Sequence, residues 1–98
     1  MEFEGFDWDE GNWPKCGEHG VSRREIEEAI TNASVLVRDP NPNERRVRIV
    51  GVTAAHRHVF VVVTFRAIAA RRLVRPISAR YMHAGEIADY ERRAPEGS

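Results

Sequence analysis

The sequence is poor in features that mark several protein classes. It has one cysteine, Cys16, which excludes a framework of internal disulfides and is typical of a reducing compartment. No apolar run approaches the roughly 18 residues of a membrane-spanning helix, and the acidic start MEFEGFDWDE lacks the apolar segment of a signal peptide. We therefore expect a cytoplasmic protein with no membrane partner. A chain of 98 residues is expected to form one domain, 1–98, with 94–98 as a frayed tail.

Lysine is nearly absent, and acidic residues are missing from one long stretch. Lys15 is the only lysine, and the stretch from Arg45 to Arg80 holds nine arginines and no Asp or Glu. Residues 1–44 carry eleven acidic and four basic side chains, whereas residues 45–98 carry four and eleven. A genome rich in G and C would favour Arg over Lys, but it would not remove the acids. We therefore predict an arginine-rich face for a polyanion, because the planar guanidinium donates two parallel hydrogen bonds to phosphate.

The first third of the chain predicts a short strand and two helices. Alternating aromatic and acidic residues over Glu2–Trp8 indicate an edge strand. Asn12 is expected to cap a short helix over Trp13–Glu18. Ser22, with Glu25 three residues later, forms a capping box for a second helix. The apolar stripe of that helix consists of Ile26, Ala29 and Ile30.

The rest of the chain predicts an antiparallel sheet of three or four strands and a closing helix. After an apolar run at Val35–Val37 and a turn-rich loop at Asp39–Asn43, the predicted strands are Arg46–Val52, His58–Phe65 and Leu73–Ala79. The middle run is almost continuously apolar, which is typical of a central strand covered on both faces. The connections are Thr53–Arg57 and Ala67–Arg72. Tyr81–Arg93 predicts a helix with Met82, Ile87 and Tyr90 facing inward, which gives an α+β fold with its helices against one sheet face.

Two stretches of the chain resemble a known family. The first comprises Phe6–Asn12 (FDWDEGN) and His19–Ser22 (HGVS), and the second is Arg75–His83 (RPISARYMH). In this order and at this chain length they resemble the BrnT-type toxins of bacterial type II toxin–antitoxin pairs. The resemblance implies a RelE-like fold and cleavage of RNA without a metal or cofactor. It also implies inhibition by a BrnA-type antitoxin with a ribbon-helix-helix domain, through which alone the complex would bind operator DNA.

Candidate catalytic residues cluster where the last predicted strand meets the last helix. Metal-free RNA cleavage needs an acid, a base and a cation at the phosphate. Arg80 is expected to clamp the phosphate, and Tyr81 to donate a hydrogen bond. His83 lies where the helix dipole favours a neutral imidazole, so it is a candidate acid or base. His19 is a second candidate, and the residues do not decide which histidine is the acid.

Each candidate also has a purely structural interpretation. Arg80 could form a salt bridge to an acid of the N-terminal half and tie down the final helix. His83 could cap that helix, and His19 could terminate the helix before it. The predicted RNA-binding residues are Arg46, Arg48, Arg75 and Lys15.

No metal site is expected. His56 and His58 lie at a hairpin tip, but with Cys16 they do not complete a tetrahedral ligand set, so they are expected to be solvated. Cys16 is expected to be a small packed residue rather than a nucleophile. Phe6 and Trp8 are expected in the core, while Trp13 is undecided between the core and base stacking.

Two functions of different classes are compatible with these features. The first is an endoribonuclease toxin that produces a 2′,3′-cyclic phosphate. The second is a non-catalytic module that docks an antitoxin and acts as its co-repressor. Because the core is small and the second half is basic, the partner segment is expected to be acidic or amphipathic and to cover the arginine face.

Overall fold

The computed structural model describes residues 2–38 and 45–93. In chain order the elements are β1 (Gly5–Phe6), a short 3₁₀ helix (Lys15–Gly17), α1 (Arg23–Thr31), β2 (Ala33–Arg38), β3 (Val47–Val52), β4 (His58–Ile68), β5 (Arg71–Tyr81) and α2 (Ala84–Arg93). The α+β class is confirmed. The predicted loop at Asp39–Asn43 and the predicted tail at 94–98 lie outside the described residues.

The five strands form one mixed sheet in the order β1-β5-β4-β3-β2. The three predicted strands become the central antiparallel strands, with Val61 of β4 paired to both Ile49 and Ala79. The strand β1 pairs parallel with β5. It is shorter than the predicted strand Glu2–Trp8, because only Gly5 and Phe6 pair with residues of β5. The predicted apolar run at Val35–Val37 lies within β2, which forms the opposite edge of the sheet.

The hydrophobic core lies between α1 and one face of the sheet. The buried sheet residues are Val47, Ile49, Val59, Val61, Val63 and Val74. We call the face that carries them the inner face and the opposite one the outer face. From His58 to Thr64 of β4 buried residues alternate with half-buried ones. The predicted cover on both faces is therefore complete only on the inner face, where α1 packs.

The helix α1 follows the sequence prediction closely. Ser22 caps it by accepting from the Glu25 amide, and the Glu25 side chain accepts from the Ser22 amide. Ile26, Ala29 and Ile30 are all buried. The helix approaches β3 so closely that a Cβ on Gly51 would lie 2.6 Å from the Ala29 carbonyl carbon.

The predicted helix over Trp13–Glu18 is only a 3₁₀ turn, and Asn12 does not cap it. The Asn12 amide donates to the Asp7 and Pro76 carbonyls at 2.9 and 3.0 Å, and its oxygen accepts from the Asp9 amide. The side chain therefore fixes the N-terminal segment to β5. It is buried, and these three hydrogen bonds direct it away from the turn that it was expected to cap.

The end of the chain also departs from the prediction. Tyr81 belongs to β5, where it pairs with Val59, and α2 begins at Ala84. The predicted Ala67–Arg72 connection is a two-residue turn at Ala69-Ala70, with φ of 51° and 64°. None of the described helices is long and apolar enough to cross a membrane.

The sequence predicted that the helices pack against one sheet face, but the two α-helices lie on opposite faces. The Tyr90 ring of α2 packs edge-on against His58, with 5.6 Å between ring centroids. His58 precedes the inward Val59 in β4 and so points to the outer face. The helix α2 therefore contacts the face opposite α1. Of its predicted inward residues, Ile87 and Tyr90 are half-buried, as is Met82 in the segment before it.

Candidate functional site

Several of the arginines lie on the outer face, as strand alternation dictates. Arg48 of β3 and Arg46, which directly precedes this strand, flank the buried Val47 and are exposed. In β4 and β5, Arg66, Arg75 and Arg80 point the same way. Not every arginine of the acid-free stretch does so, because Arg57 and Arg72 contact the rings of Tyr81 and Phe65 on the inner side. The outer face therefore carries several, but not all, of the arginines from the acid-free stretch.

At one end of the outer face the arginines are neutralised within the chain. Arg75 contacts Asp7 at 3.2 Å and Asp9 at 2.9 Å, and Arg66 contacts Asp7 at 3.0 Å. The hydrogen bond from Arg75 lowers the pKa of Asp9, and the same bond raises the pKa of Arg75. These ion pairs account for part of the charge asymmetry between the two halves. Arg75 was predicted to bind RNA, and its guanidinium is already held by carboxylates.

Arg80 lies at the other end of the outer face, where β5 meets α2. Its two terminal nitrogens donate to the two carboxylate oxygens of Glu86 at 2.7 and 2.8 Å. The guanidinium stacks over the ring of Phe60 at 5.1 Å. The bond from Arg80 lowers the pKa of Glu86 to about 2, so this carboxylate is charged at neutral pH. The predicted structural role of Arg80 is therefore present, although its partner belongs to the last helix rather than to the N-terminal half.

His83 is placed beside Arg80 by the start of α2. It occupies the position before the first helical residue, and its backbone carbonyl accepts from the Ile87 amide at 2.9 Å. Its own amide donates to Glu86 at 2.9 Å, while the side chain is exposed. Arg80, His83 and Glu86 together are called the Arg80 group below.

Tyr81 faces away from the Arg80 group, because successive strand residues point to opposite faces. Its hydroxyl donates to Glu25 at 2.6 Å and lies 3.3 Å from the Gly20 carbonyl oxygen. Arg57 stacks over the Tyr81 ring at 3.6 Å. The hydrogen bond from Tyr81 is the main cause that lowers the pKa of Glu25, and the same bond raises the pKa of Tyr81. Tyr81, Glu25 and Arg57 form a second cluster, the Tyr81 group.

His19 and Lys15 lie apart from the Arg80 group. His19 is 60% exposed and 3.5 Å from Glu18. Because the next residue, Gly20, approaches Tyr81, His19 neighbours the Tyr81 group. Lys15 is exposed on the 3₁₀ helix. The structure thus brings Arg80 together with His83, and it separates both from Tyr81 and His19.

The two groups contain residues that sequence reasoning missed as site residues. Glu86 follows His83 by three positions, as Glu25 follows Ser22, and both glutamates accept from the backbone amide that precedes their helix. This repeated capping spacing was the available signal. The adjacent residues Arg80 and Tyr81 therefore each bind the first-turn glutamate of a different helix, on opposite faces of the sheet.

His58 is not the solvated hairpin residue that was predicted. Its side chain is 17% exposed and lies 4.0 Å from Glu91, besides its contact with Tyr90. His56 is exposed at the turn, with a φ of 63°. Within residues 2–38 and 45–93, no three His, Cys, Asp or Glu side chains are grouped so that they could hold a metal ion.

The cysteine and the aromatic side chains belong to the packed interior. Cys16 is 1% exposed, and burial raises the pKa of its thiol to about 11, which confirms a packed rather than a nucleophilic role. Phe6 and Trp8 pack against the core as predicted, and Trp13 does so too. The indoles of Trp8 and Trp13 meet edge-on at 5.5 Å. This packing favours a structural role for the two indoles over stacking on RNA bases.

Comparison with known families gives one match. A family model described as "Ribonuclease toxin, BrnT, of type II toxin-antitoxin system" matches residues 8–86. No curated protein and no solved structure matches the chain. The matched range includes every residue of the Arg80 group and of the Tyr81 group.

Proposed function

We propose that the protein cleaves RNA internally and without a metal ion. The chain belongs to the BrnT family of ribonuclease toxins of type II toxin–antitoxin systems. In this proposal the 2′-OH loses its proton and attacks the adjacent phosphate. The bond from phosphorus to the 5′ oxygen of the next nucleotide breaks, that oxygen takes up a proton, and a 2′,3′-cyclic phosphate remains. The observation that carries it is the position of Arg80 beside His83 at the end of the outer face. Arg46 and Arg48 are exposed on that same face.

The chemistry divides between these residues according to their acid–base properties. Arg80 keeps its proton at neutral pH, so it would stabilise the charge that develops on the phosphate. His83 is exposed and carries an imidazole, a group that can act as general acid or base, so it would transfer a proton to or from the sugar oxygens. Arg46 and Arg48 would hold the RNA backbone along β3.

The remaining candidates receive different roles. Tyr81 and Glu25 would hold β5 against α1, and Arg75 would secure the N-terminal segment through Asp7. His19 and Lys15, on the other side of β5, would at most contact RNA that wraps around this edge of the sheet. The pH profiles of cleavage by the single alanine variants test this division: we expect His83→Ala to change the profile and His19→Ala to leave it unchanged.

The decisive experiment removes the clamp and the proton carrier together. Wild type and the Arg80→Ala, His83→Ala double variant are expressed without antitoxin, while growth and RNA integrity are followed. We expect wild type to arrest growth and to yield RNA ends with cyclic phosphate, and the double variant to do neither. The control is Arg24→Ala, His56→Ala, which removes the same residue types from exposed positions outside both groups. Full RNA cleavage by the folded double variant would refute the assignment.

The antitoxin partner follows from the family and from the surface. A type II system pairs each toxin with an antitoxin, and we propose a BrnA-type protein with a ribbon-helix-helix domain. An acidic or amphipathic segment of it would cover the outer face, and operator DNA would be bound only through it. Complex formation should weaken as salt increases, because exposed charges are screened. Affinity that is indifferent to salt would instead indicate apolar docking.

A second function is favoured by the Arg80–Glu86 pair. A guanidinium already held by two carboxylate oxygens could serve only to fix α2. The protein would then be a non-catalytic module that docks its antitoxin and acts as co-repressor. Absence of RNA cleavage by pure wild type, with normal antitoxin binding, would select this alternative.

The proposal also extends to the domain and its location. We propose that residues 1–98 form one toxin domain with a RelE-like fold, that it needs no cofactor, and that it acts in the cytoplasm. Its support is that the family match spans most of the chain. A solved structure of the complex would test the fold directly.

A further inference from the structure

Glu86 occupies the edge of the Arg80 guanidinium that is formed by its two terminal nitrogens. Both terminal nitrogens of Arg80 are bound by Glu86 oxygens, at 2.7 and 2.8 Å. The carboxylate thereby presents two oxygens side by side, as a phosphate does when it binds the same fork of donors. The site is therefore occupied by a group of the chain's own.

The Arg80 guanidinium has two further contacts within the chain. It rests over the ring of Phe60, and one terminal nitrogen also lies 3.4 Å from the Tyr81 carbonyl oxygen. A phosphate that approached beside Glu86 would bring its negative charge close to that of the carboxylate, and like charges repel. An incoming phosphate and Glu86 must therefore compete for one guanidinium.

The pair is placed where such competition is physically possible. The side chains of Arg80 and Glu86 are 37% and 39% exposed, so solvent and a ligand reach both. A half-exposed ion pair contributes little to stability, and its partner can be exchanged at low cost. Glu86 can turn away and still leave α2 attached through Tyr90, which packs on His58.

We propose that Glu86 is an internal competitor for the phosphate site at Arg80, which lowers the affinity of the free protein for RNA. RNA must displace this carboxylate from the guanidinium before cleavage. The inference rests on the proposed function, because it takes Arg80 as the phosphate clamp.

The test compares two variants that remove one negative charge from the same helix. Glu86→Gln keeps the side-chain shape and an oxygen that accepts from the His83 amide, so the start of α2 is preserved. Asp89→Asn is the matched control, because the Asp89 carboxylate accepts a hydrogen bond from Arg92 of α2 at 3.1 Å. The probe is a fluorescent RNA oligonucleotide whose 2′-hydroxyls are methylated, so that it binds without being cut.

We expect Glu86→Gln to bind this RNA roughly two- to fivefold more tightly than wild type, the range given by one half-exposed ion pair. Asp89→Asn should change the affinity less. Equal affinities of the two variants would overturn the competitor role. Weaker binding or slower cleavage of ordinary RNA by Glu86→Gln would also overturn it, and would make Glu86 a positioning residue for Arg80.

The two possible failures have different signatures. If wild type cuts RNA and Glu86→Gln behaves like Asp89→Asn, only the competitor role is refuted. If none of the three proteins binds or cuts RNA although all melt cooperatively, the proposed function is refuted, and the competitor role with it.

Discussion

Replacement of Gly51 by alanine should test the closest approach in the core. A Cβ at this position would lie 2.6 Å from the Ala29 carbonyl carbon and 2.8 Å from the Ala29 Cα, and it would overlap the Ala29 carbonyl oxygen. These are backbone atoms of α1, so no side-chain rotation relieves the contact. The helix must move away from β3, which opens gaps around the buried Ile26 and Ile30.

The magnitude follows from that geometry. Overpacking of a well-filled core lowers the free energy of unfolding by about 1–3 kcal/mol. Because the clash is with backbone atoms, we expect the loss in Gly51→Ala to lie at or above the upper end of this range. For a domain of this size, about 3 kcal/mol corresponds to a fall in Tm of roughly 12–24 °C. Thermal unfolding followed by circular dichroism, with urea unfolding at 25 °C, measures both quantities.

The matched control is Gly85→Ala in α2. An added Cβ there has no neighbour within 4 Å, so alanine should raise the stability by up to about 1 kcal/mol through its helix propensity. A Gly51→Ala protein that melts within about 3 °C of wild type would refute the close approach of α1 to β3.

Three further predictions concern single side chains. Ser22→Ala removes the cap of α1 and should cost about 1 kcal/mol in urea unfolding; an unchanged midpoint would contradict the capping role. Tyr81→Phe removes the bond that lowers the pKa of Glu25 from 4.5. A carboxyl with a lowered folded-state pKa stabilises the fold above its unfolded pKa and loses that effect as the pH falls. The loss of stability in Tyr81→Phe, about 1 kcal/mol, should therefore be larger at pH 7 than at pH 3, and equal losses would count against it. Cys16 should not react with a thiol reagent at pH 8 until the protein unfolds, and colour released at once in native buffer would show that the thiol is accessible.

The sequence predicted best what depends on neighbouring residues. Ser22 and Glu25 are three positions apart, so their capping box could be inferred without knowledge of the rest of the fold. The alternation along Val47–Val52 placed Arg48 correctly on the face away from the core. The resemblance to BrnT-type toxins was confirmed by the family match.

The sequence predicted poorly what depends on distant contacts. Asn12 looked like a helix cap, but its partners include Pro76, which no local pattern indicates. The ion pairs of Asp7 with Arg66 and Arg75 join residues that only the sheet brings together.

One local error had the largest effect on the candidate site. Tyr81 was assigned to the last helix and grouped with the neighbouring Arg80 and His83 as a candidate catalytic residue. Because β5 continues through Tyr81, the strand alternation sends its ring to the opposite face. Tyr81 is separated from Arg80 and His83 for that reason.

The pairing of β1 with β5 constrains the order in which the chain can fold during synthesis. Gly5 lies beside Leu73, and the nearby Asp7–Arg75 ion pair joins residues 68 positions apart. During synthesis β1 therefore leaves the ribosome long before β5 is made. Until then the aromatic side chains of the N-terminal segment stay exposed to solvent. Cells that make this protein should benefit from a chaperone, or from a partner translated nearby, during that interval.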